Sequence, residues 1–397
     1  MTEIYDVGPV RVMSILARMN VGGPAWLASV LTRGLPKDRF QTRLVCGCVD
    51  NSEADFIELR DPNLPVRRLE SLGRSVRIGG DLLALIAICR EIREFRPHIV
   101  HTHTAKAGVL GRIAAVICRV PIRVHTFHGH VLSGYFSPLA SRALRIVEVL
   151  LARLSTALIA VGERVRDELL DAGIGRGDKY VVIPPGAAIG PLPDKLYARE
   201  WLGLPPGRPV VVFVGRLTGV KRPDRLMEAM ADVLDRLPGA LLVIAGEGDL
   251  METTRRNAES LGDSVRFVGW QSDVSKVFAA ADVAVLTSDN EGMPVSLIEA
   301  SLAGVPSVTT AVGSAGEVVI DGVTGHVVAL SARAVADALL EILLDRELGL
   351  VMGEAARVHA EQAYGVPRLV DDHVELYERL IRDHAGCWPW EAGGRLG

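Results

Sequence analysis

The feature that most constrains the fold is an alternation running through nearly all of the 397 residues. Short apolar runs give way to stretches with helical spacing, and these to further apolar runs. Val10–Ala17, Arg43–Cys48, His98–Thr102, Ile122–Phe127 and Tyr180–Ile183 read as strands, with helices over Ala25–Leu31, Gly80–Phe95 and Ala107–Cys118. Pro209–Arg216, Ala240–Gly246, Val265–Trp270, Val283–Leu286 and Ser307–Thr310 repeat the strand pattern. Such alternation implies parallel sheets with helices on both faces. The chain is too long for one typical core. The expectation is therefore an α/β protein with two doubly wound parallel-sheet domains. The Gly- and Pro-rich segment Gly186–Asp194 marks the linker and places the domains at about 1–188 and 189–366. A last helix starts at Pro367, which suits a first helical position, and runs to about His384. The glycine-rich tail Trp388–Gly397 is expected to fray.

Composition narrows the class. Charged residues make up 23% and apolar residues 49%, as in an ordinary soluble globular protein. No apolar run reaches the roughly eighteen residues needed to span a bilayer. The start, MTEIYDVGPV, has no basic region ahead of an apolar one, so no signal peptide is expected. Cys46, Cys48, Cys89, Cys118 and Cys387 are odd in number and lack metal-like spacing, which suggests reduced thiols in a cytoplasmic protein. Core packing is the expected role of Cys46-Gly47-Cys48. The net charge of −4 hides an asymmetry: residues 1–190 hold 25 Lys and Arg against 18 Asp and Glu, and the remainder 19 against 30. The basic half is the better candidate to meet an anionic surface or acceptor.

In doubly wound sheets, ligands sit beyond the carboxyl ends of the strands. The first strand ends in Met19–Pro24, where Gly22 and Gly23 would let backbone amides approach a phosphate; a plain turn would look the same. These glycines lack the full dinucleotide spacing, so a nicotinamide cofactor is not indicated. His101, His103, His128 and His130 follow two other strands. Zinc would want three or four convergent ligands, but only alternate strand residues share a face, and no Glu lies between them as in zinc hydrolases. Metal is therefore not expected. The stretch Gly134–Leu154 carries Arg142, Arg145 and Arg153 beside Leu144, Val147, Leu150 and Leu151, after Tyr135 and Phe136. It reads as a core-packing helix or as an amphipathic face near a membrane.

The most informative stretch is Asp282–Val305. A buried strand leads through Ser288–Gly292 to a helix with Pro294 in its first turn, ended by Gly304 and Pro306. Glu291 and Glu299 then lie roughly 10 Å apart along the helix direction. The helix start between them attracts anions. A nucleotide-sugar has a matching layout of sugar, diphosphate and ribose. Equally, two glutamates near a helix start are a dipole-favoured first turn with a solvated side chain. Upstream, Arg216 and Lys221 follow a strand and offer a planar fork and a mobile point charge to a diphosphate. Glu247-Gly248-Asp249 is expected to cap the helix after the next strand.

On these residues the chain resembles the retaining glycosyltransferases of the GT-B fold, family four. Glu291 and Glu299 match the paired glutamates of that family's donor site, and Gly215, Arg216 and Lys221 match its Gly-Arg…Lys pattern. The resemblance covers nearly the whole chain and is more specific in the C-terminal half. It implies two Rossmann-like domains facing a central cleft, the first on the acceptor side and the second binding a nucleotide-sugar. The last helix, about 367–397, would pack back on the first domain. Glu291 would hold donor-sugar hydroxyls, Glu299 the ribose, and Arg216 and Lys221 the leaving diphosphate. His128 would contact the sugar, and His103 would line the acceptor side. Gly22, Gly23, Gly292, Met293 and Pro294 would sit at the donor, and backbone at Val268–Trp270 would hold the base. Two motifs depart from the family: Pro184-Pro185-Gly186 replaces Pro-Asn-Gly, and Gly313-Ser314-Ala315-Gly316-Glu317 matches Gly-Gly-x-Pro-Glu only in part.

The stretches 101–108 and 127–130 look like bacterial members that build polysaccharides or glycolipids on lipid carriers. The resemblance thus implies a UDP-sugar donor above all, a lipid-linked or saccharide acceptor, and work at the inner face of the cytoplasmic membrane. It implies no metal, no other cofactor and no nucleic acid. Three alternatives stay open. A glycosidase would set two carboxylates about 5–9.5 Å apart and would not need Arg216 and Lys221. A nucleotide-sugar epimerase shares the architecture, and a non-catalytic nucleotide-sugar-binding module is the third.

Overall fold

The computed structural model describes residues 8–50, 53–73, 78–129 and 138–384. His130, Tyr135, Phe136, Cys387 and the tail Trp388–Gly397 lie outside them. The chain divides into an N-terminal unit, residues 1–185 with 366–397, and a C-terminal unit, residues 186–365.

The N-terminal unit comprises β1 (Val10–Leu16), α1 (Gly23–Gly34), β2 (Phe40–Gly47), α2 (Phe56–Arg60), β3 (Val66–Leu69), α3 (Ile78–Phe95), β4 (Ile99–His103), α4 (Ala105–Ile117), β5 (Ile122–Phe127), α5 (Pro138–Leu154), β6 (Ala157–Ala160), α6 (Glu163–Asp171) and β7 (Tyr180–Val182). Its strands form one parallel sheet in the order β3-β2-β1-β4-β5-β6-β7. Crossovers to the left and to the right of β1 are right-handed only if their helices take opposite faces. α3 and α4 accordingly pack through Ile88, Ile92 and Ala114 on Met13, Ile15 and Val100. On the other face, α1 packs Leu27 and Leu31 against Val12, Ile99 and Val124.

The C-terminal unit comprises α7 (Lys195–Trp201), β8 (Val210–Val214), α8 (Pro223–Arg236), β9 (Leu241–Ala245), α9 (Met251–Ala258), β10 (Val265–Gly269), α10 (Ser275–Ala280), β11 (Val283–Leu286), α11 (Val295–Leu302), β12 (Ser307–Thr310), α12 (Ala315–Val318), β13 (Gly325–Val328), α13 (Ala332–Leu344) and α14 (Arg346–Ala363). Its parallel sheet runs β10-β9-β8-β11-β12-β13. The chain then returns to the N-terminal unit as α15 (Val366–Asp383). Leu369, His373, Leu376, Tyr377, Leu380 and Ile381 make one buried stripe on α15, and it joins α1 on the same face of the sheet. Glu247-Gly248-Asp249 does not cap α9: Leu250 stands at the N-cap and no side chain caps the helix.

Alternate residues of β4 meet different helices. His101 faces α15, where Nδ1 lies 2.6 Å from the Tyr377 hydroxyl and Nε2 lies 2.7 Å from Thr126 Oγ1. Thr102 faces α4 and bonds His125 at 2.9 Å. α4 approaches closely because Gly108 and Gly111 lack side chains; a Cβ at either would come within 2.5 or 2.6 Å of His125 or Thr102. Among the described residues, no group of three or more His, Cys, Asp or Glu is placed to hold a metal. Cys46, Cys48, Cys89 and Cys118 are free thiols. Cys46 is buried, and that burial pushes its thiol up to about 12.

One buried charge pair was not anticipated. Arg112 on α4 is 1% exposed and donates to Glu148 Oε2 on α5 at 2.6 Å and to the Gly108 carbonyl at 2.8 Å. Removing one partner leaves a buried charge alone, at roughly 3–5 kcal/mol, whereas replacing both with apolar residues is near neutral. Glu148→Leu should therefore lower unfolding free energy in urea by that amount, and Arg112→Leu/Glu148→Leu should recover most of it. A single variant as stable as the double would contradict this.

Burial, followed by the charge of its neighbours, holds His101, His103 and His125 well below 6.5. Burial takes His373 down to about 4 against the opposing pull of its bond to Leu369. Such groups bind fewer protons folded than unfolded. Their contribution is present above the unfolded value and falls away as pH drops from about 6.5 toward 4, by roughly 3 kcal/mol for a group shifted as far as His373. The depressed carboxyls of Asp61, Asp224 and Asp289 act only near and below 3.8. The urea midpoint should thus fall between pH 6.5 and 4.5, before carboxylates matter. A flat midpoint across that window would overturn the account.

Candidate active site

Each sheet has a point where its winding reverses, and adjacent loops there diverge to leave a crevice. In the C-terminal unit it lies between β8 and β11, in the N-terminal unit between β1 and β4.

At the first point, the loop after β8 is pinned by its neighbours. Gly215 N–H donates to Ala245 O, and Leu217 N–H to Glu247 O. The packing is tight enough that a Cβ on Gly246, whose φ is +142°, would lie 2.0 Å from Gly215 O. The loop after β11 is held as firmly. Thr287 Oγ1 donates to the carbonyls of Lys221 and Arg222 at 3.0 and 3.1 Å, and Thr310 Oγ1 donates to Ser288 O at 2.6 Å. Gly313, at φ +46°, lies against Glu291, where a Cβ would be 1.8 Å from the Glu291 carbonyl. Ser314 N–H closes the contact on Gly292 O.

These loops bring Lys221 and Glu291 together. Lys221 Nζ and Ser288 Oγ both donate to Glu291 Oε1 at 2.5 Å. The spacing of the sequence placed both residues at strand ends but gave no sign that they pair. Arg216 is exposed on the same loop. Gly292, Met293 and Pro294 lead into α11. Pro294 is its N-cap rather than part of its first turn, no side chain caps the helix, and Glu299 is its fifth residue. A bulge between Phe267 and Gly269 takes Val268 out of the β9–β10 register, and its carbonyl accepts from Gln271 Nε2 at 2.7 Å.

Behind the loops lies a network that sequence reasoning missed. Arg225, 6% exposed, donates to Thr287 O and to Asp289 Oδ1, each at 2.7 Å. Arg222 pairs with Asp289 at 3.0 Å and Asp224 at 2.7 Å. Burial raises the Asp289 carboxyl, but the bonds from Arg222 and Arg225 outweigh it and hold it below its ordinary range. Arg222 has φ +50°, a left-handed conformation that costs roughly 1–2 kcal/mol and is offset by these bonds. The signal available in sequence was the Lys-Arg-Pro run, since the residue before proline avoids the helical region.

At the second point, Gly22 and Gly23 open α1, again without a side-chain cap. The loop before them is fixed by Val21 N–H to Ala54 O and by a two-bond ion pair of Arg18 with Glu53. His103 ends β4 fully buried, and His128 follows β5 half-buried. His103 Nδ1 and His128 Nε2 lie 3.3 Å apart. Burial, then the charge of His373, takes His128 down to about 4.

Residues 195–359 match the model described as glycosyl transferases group 1, and residues 22–186 match a glycosyl transferase 4-like domain. The chain is 26% identical over 362 residues to an Escherichia coli UDP-Gal:alpha-D-GlcNAc-diphosphoundecaprenol alpha-1,3-galactosyltransferase, covering 87% of this chain and 91% of that one. It is 34% identical over 285 residues to a D-inositol 3-phosphate glycosyltransferase of Actinosynnema mirum, covering 64% and 68%. Among solved structures, Anabaena Alr3699/HepE in complex with UDP and glucose matches with TM-score 0.79 and 22% identity, covering 93% of this chain and all of that one. The chain belongs to the group 1, family-four-type glycosyltransferases and has their fold of two Rossmann-like domains.

Proposed function

We propose that this glycosyltransferase moves a sugar, with retention of configuration and without a metal, from a UDP-sugar to a lipid-linked acceptor in cell-surface glycan synthesis. The observation that carries this is the convergence of Lys221 and Ser288 on Glu291 at the start of α11, at the winding reversal of the C-terminal sheet. That unit is the donor-binding one. A diphosphate leaving the anomeric carbon gains negative charge, and Arg216, Lys221 and the α11 amides meet it. With Oε1 held by two donors, Glu291 offers its second oxygen to sugar hydroxyls. Glu299 takes the ribose, and the bulged backbone at Val268 takes the base. In the N-terminal unit, Gly22 and Gly23 approach the donor phosphates, and His128 contacts the sugar. Family membership sets aside the glycosidase, epimerase and binding-module alternatives. The named relatives act on a lipid diphosphate and an inositol phosphate; the first supports the acceptor class chosen here. The test is transfer of labelled sugar from UDP-sugars to a polyprenyl-diphosphate saccharide in EDTA. Product with the anomeric configuration of the donor is expected; turnover that needs a divalent cation would sink the metal-free step.

Loss of one charge-assisted contact costs roughly 1.5–3 kcal/mol. Arg216→Ala and Lys221→Ala should each weaken UDP binding by that amount in calorimetry. Unchanged UDP affinity in both would show that these cations do not hold the diphosphate.

We further propose peripheral contact of the N-terminal unit with anionic lipid, at the cytoplasmic face of the membrane. α5 exposes Ile146, Leu150 and Leu154 at 55%, 52% and 45%, beside exposed Arg142, Arg145 and Arg153. Among the described residues, no helix is long and apolar enough to cross a membrane. Electrostatic attraction supplies about 1 kcal/mol per well-placed cation and is screened by salt. Co-sedimentation with anionic vesicles should be strong at low salt, weak at high salt, and reduced when the three arginines become serine. Equal pelleting with neutral vesicles, or none with either, would refute the contact.

A further inference from the structure

The contact between His103 and His128 fixes more than a distance. Both rings are neutral near pH 7, since burial first, and neighbouring histidines after it, lower them. A neutral imidazole has one N–H and one bare nitrogen, so the 3.3 Å contact can be made in two ways. If His128 donated, His103 would carry its own proton on Nε2. That atom is buried and has no partner among the described residues. An orphaned buried N–H is rare and costly, and an unmet acceptor is less so. If His103 donates from Nδ1, its buried Nε2 is only a bare lone pair. His373 next to it obeys the same rule. Its Nδ1 lies 2.8 Å from the Leu369 carbonyl, which can only accept, so its buried, unpartnered Nε2 is bare as well.

We propose that His103 is a positioning residue that holds His128 as the tautomer protonated on Nδ1, so that His128 presents an N–H donor to an oxygen acceptor of the bound sugar. This rests on the reading of His128 as a sugar contact. The support behind His103 is rigid. The His101 ring packs on it at 4.2 Å between centroids, and both His101 nitrogens are engaged, by Tyr377 and by Thr126. His103 therefore has a fixed plane from which to aim its proton. A hydroxyl or ring oxygen that accepts is bound; a group able only to donate is not.

The test uses the full chain labelled with 15N on histidine. Long-range 1H–15N correlation, with His128 assigned through His128→Gln, should show His128 protonated on Nδ1 and bare on Nε2. Two variants add a functional reading. His103→Asn places its amide near the position of Nδ1, and His103→Gln near that of Nε2. Turnover should survive in His103→Asn and fall roughly tenfold in His103→Gln, the effect of one hydrogen bond, with UDP affinity unchanged in both. His128 found protonated on Nε2 would overturn the proposal. So would wild-type turnover in His103→Gln alongside an inactive His128→Ala. Wild-type turnover in His128→Ala would instead overturn the sugar contact, whichever tautomer is found.

Discussion

The site depends on one pairing between strands that are not neighbours in sequence. β11 joins β8 through Val283 opposite Val211, while β9 occupies the other side of β8. The chain after β8 and the chain after β11 therefore leave the sheet side by side and turn to opposite faces. A crevice between them follows from topology alone. What topology does not supply is the close approach of the loops. Glycine supplies that at Gly246 against Gly215 and at Gly313 against Glu291, where any Cβ would collide with backbone. A larger residue at either point would push apart the two loops that carry Lys221 and Glu291.

Lys221, Glu291, Asp289, Arg222 and Arg225 are paired before any ligand arrives. Lys221 neutralises Glu291, and Ser288 shares the same oxygen. Behind them, Asp289 answers Arg222 and Arg225. Partly buried ions are costly unless paired and hydrogen-bonded, so each network stabilises the loop geometry that it needs. An incoming diphosphate would compete with Glu291 for Lys221. A donor sugar that engages Glu291 as its phosphate engages Lys221 would replace one pair with two contacts, so binding need not leave either charge stranded.

The central strands of the C-terminal sheet were legible because they are buried on both faces and read as continuous apolar runs. β3, β6 and β13 were not: β3 carries Arg67 and Arg68 in its middle, β13 opens on Gly325 and His326, and β6 is a short apolar run only two residues beyond the end of α5. The starts of α1, α3, α4, α11 and α15 were read to within a couple of residues, whereas α2, α6, α7, α8, α10, α12, α13 and α14 were not read. Glu247-Gly248-Asp249 looked like a side-chain cap, yet it meets α9 through backbone alone, the Met251 N–H donating to the Gly248 carbonyl while Leu217 N–H holds the Glu247 carbonyl. At the candidate site, the sequence located Glu291, Lys221 and the two glycines after β1 at strand ends. It could not show that Lys221 bonds Glu291 or that His103 bonds His128, since pairs 70 and 25 residues apart depend on strand order. Arg225 was invisible for another reason: an arginine on an amphipathic helix reads as solvated until the helix is docked.

Glu148 shows how an interior choice shapes a surface. It is the sole acid in the α5 sequence, which also holds Arg142, Arg145 and Arg153. Turned outward, it would pair with Arg145, three residues before it, and blunt that charge. It is turned inward and spent on Arg112. Apolar residues of similar size could have packed there at no loss of stability, so the pair is not explained by stability. It does two other things. It ties α5 to α4 with a directional bond, which sliding of one helix along the other would break. It also removes the only negative charge from the outer face of α5, leaving arginines beside exposed Ile146, Leu150 and Leu154. A face that is basic and apolar at once is poorly matched to water and well matched to an anionic interface.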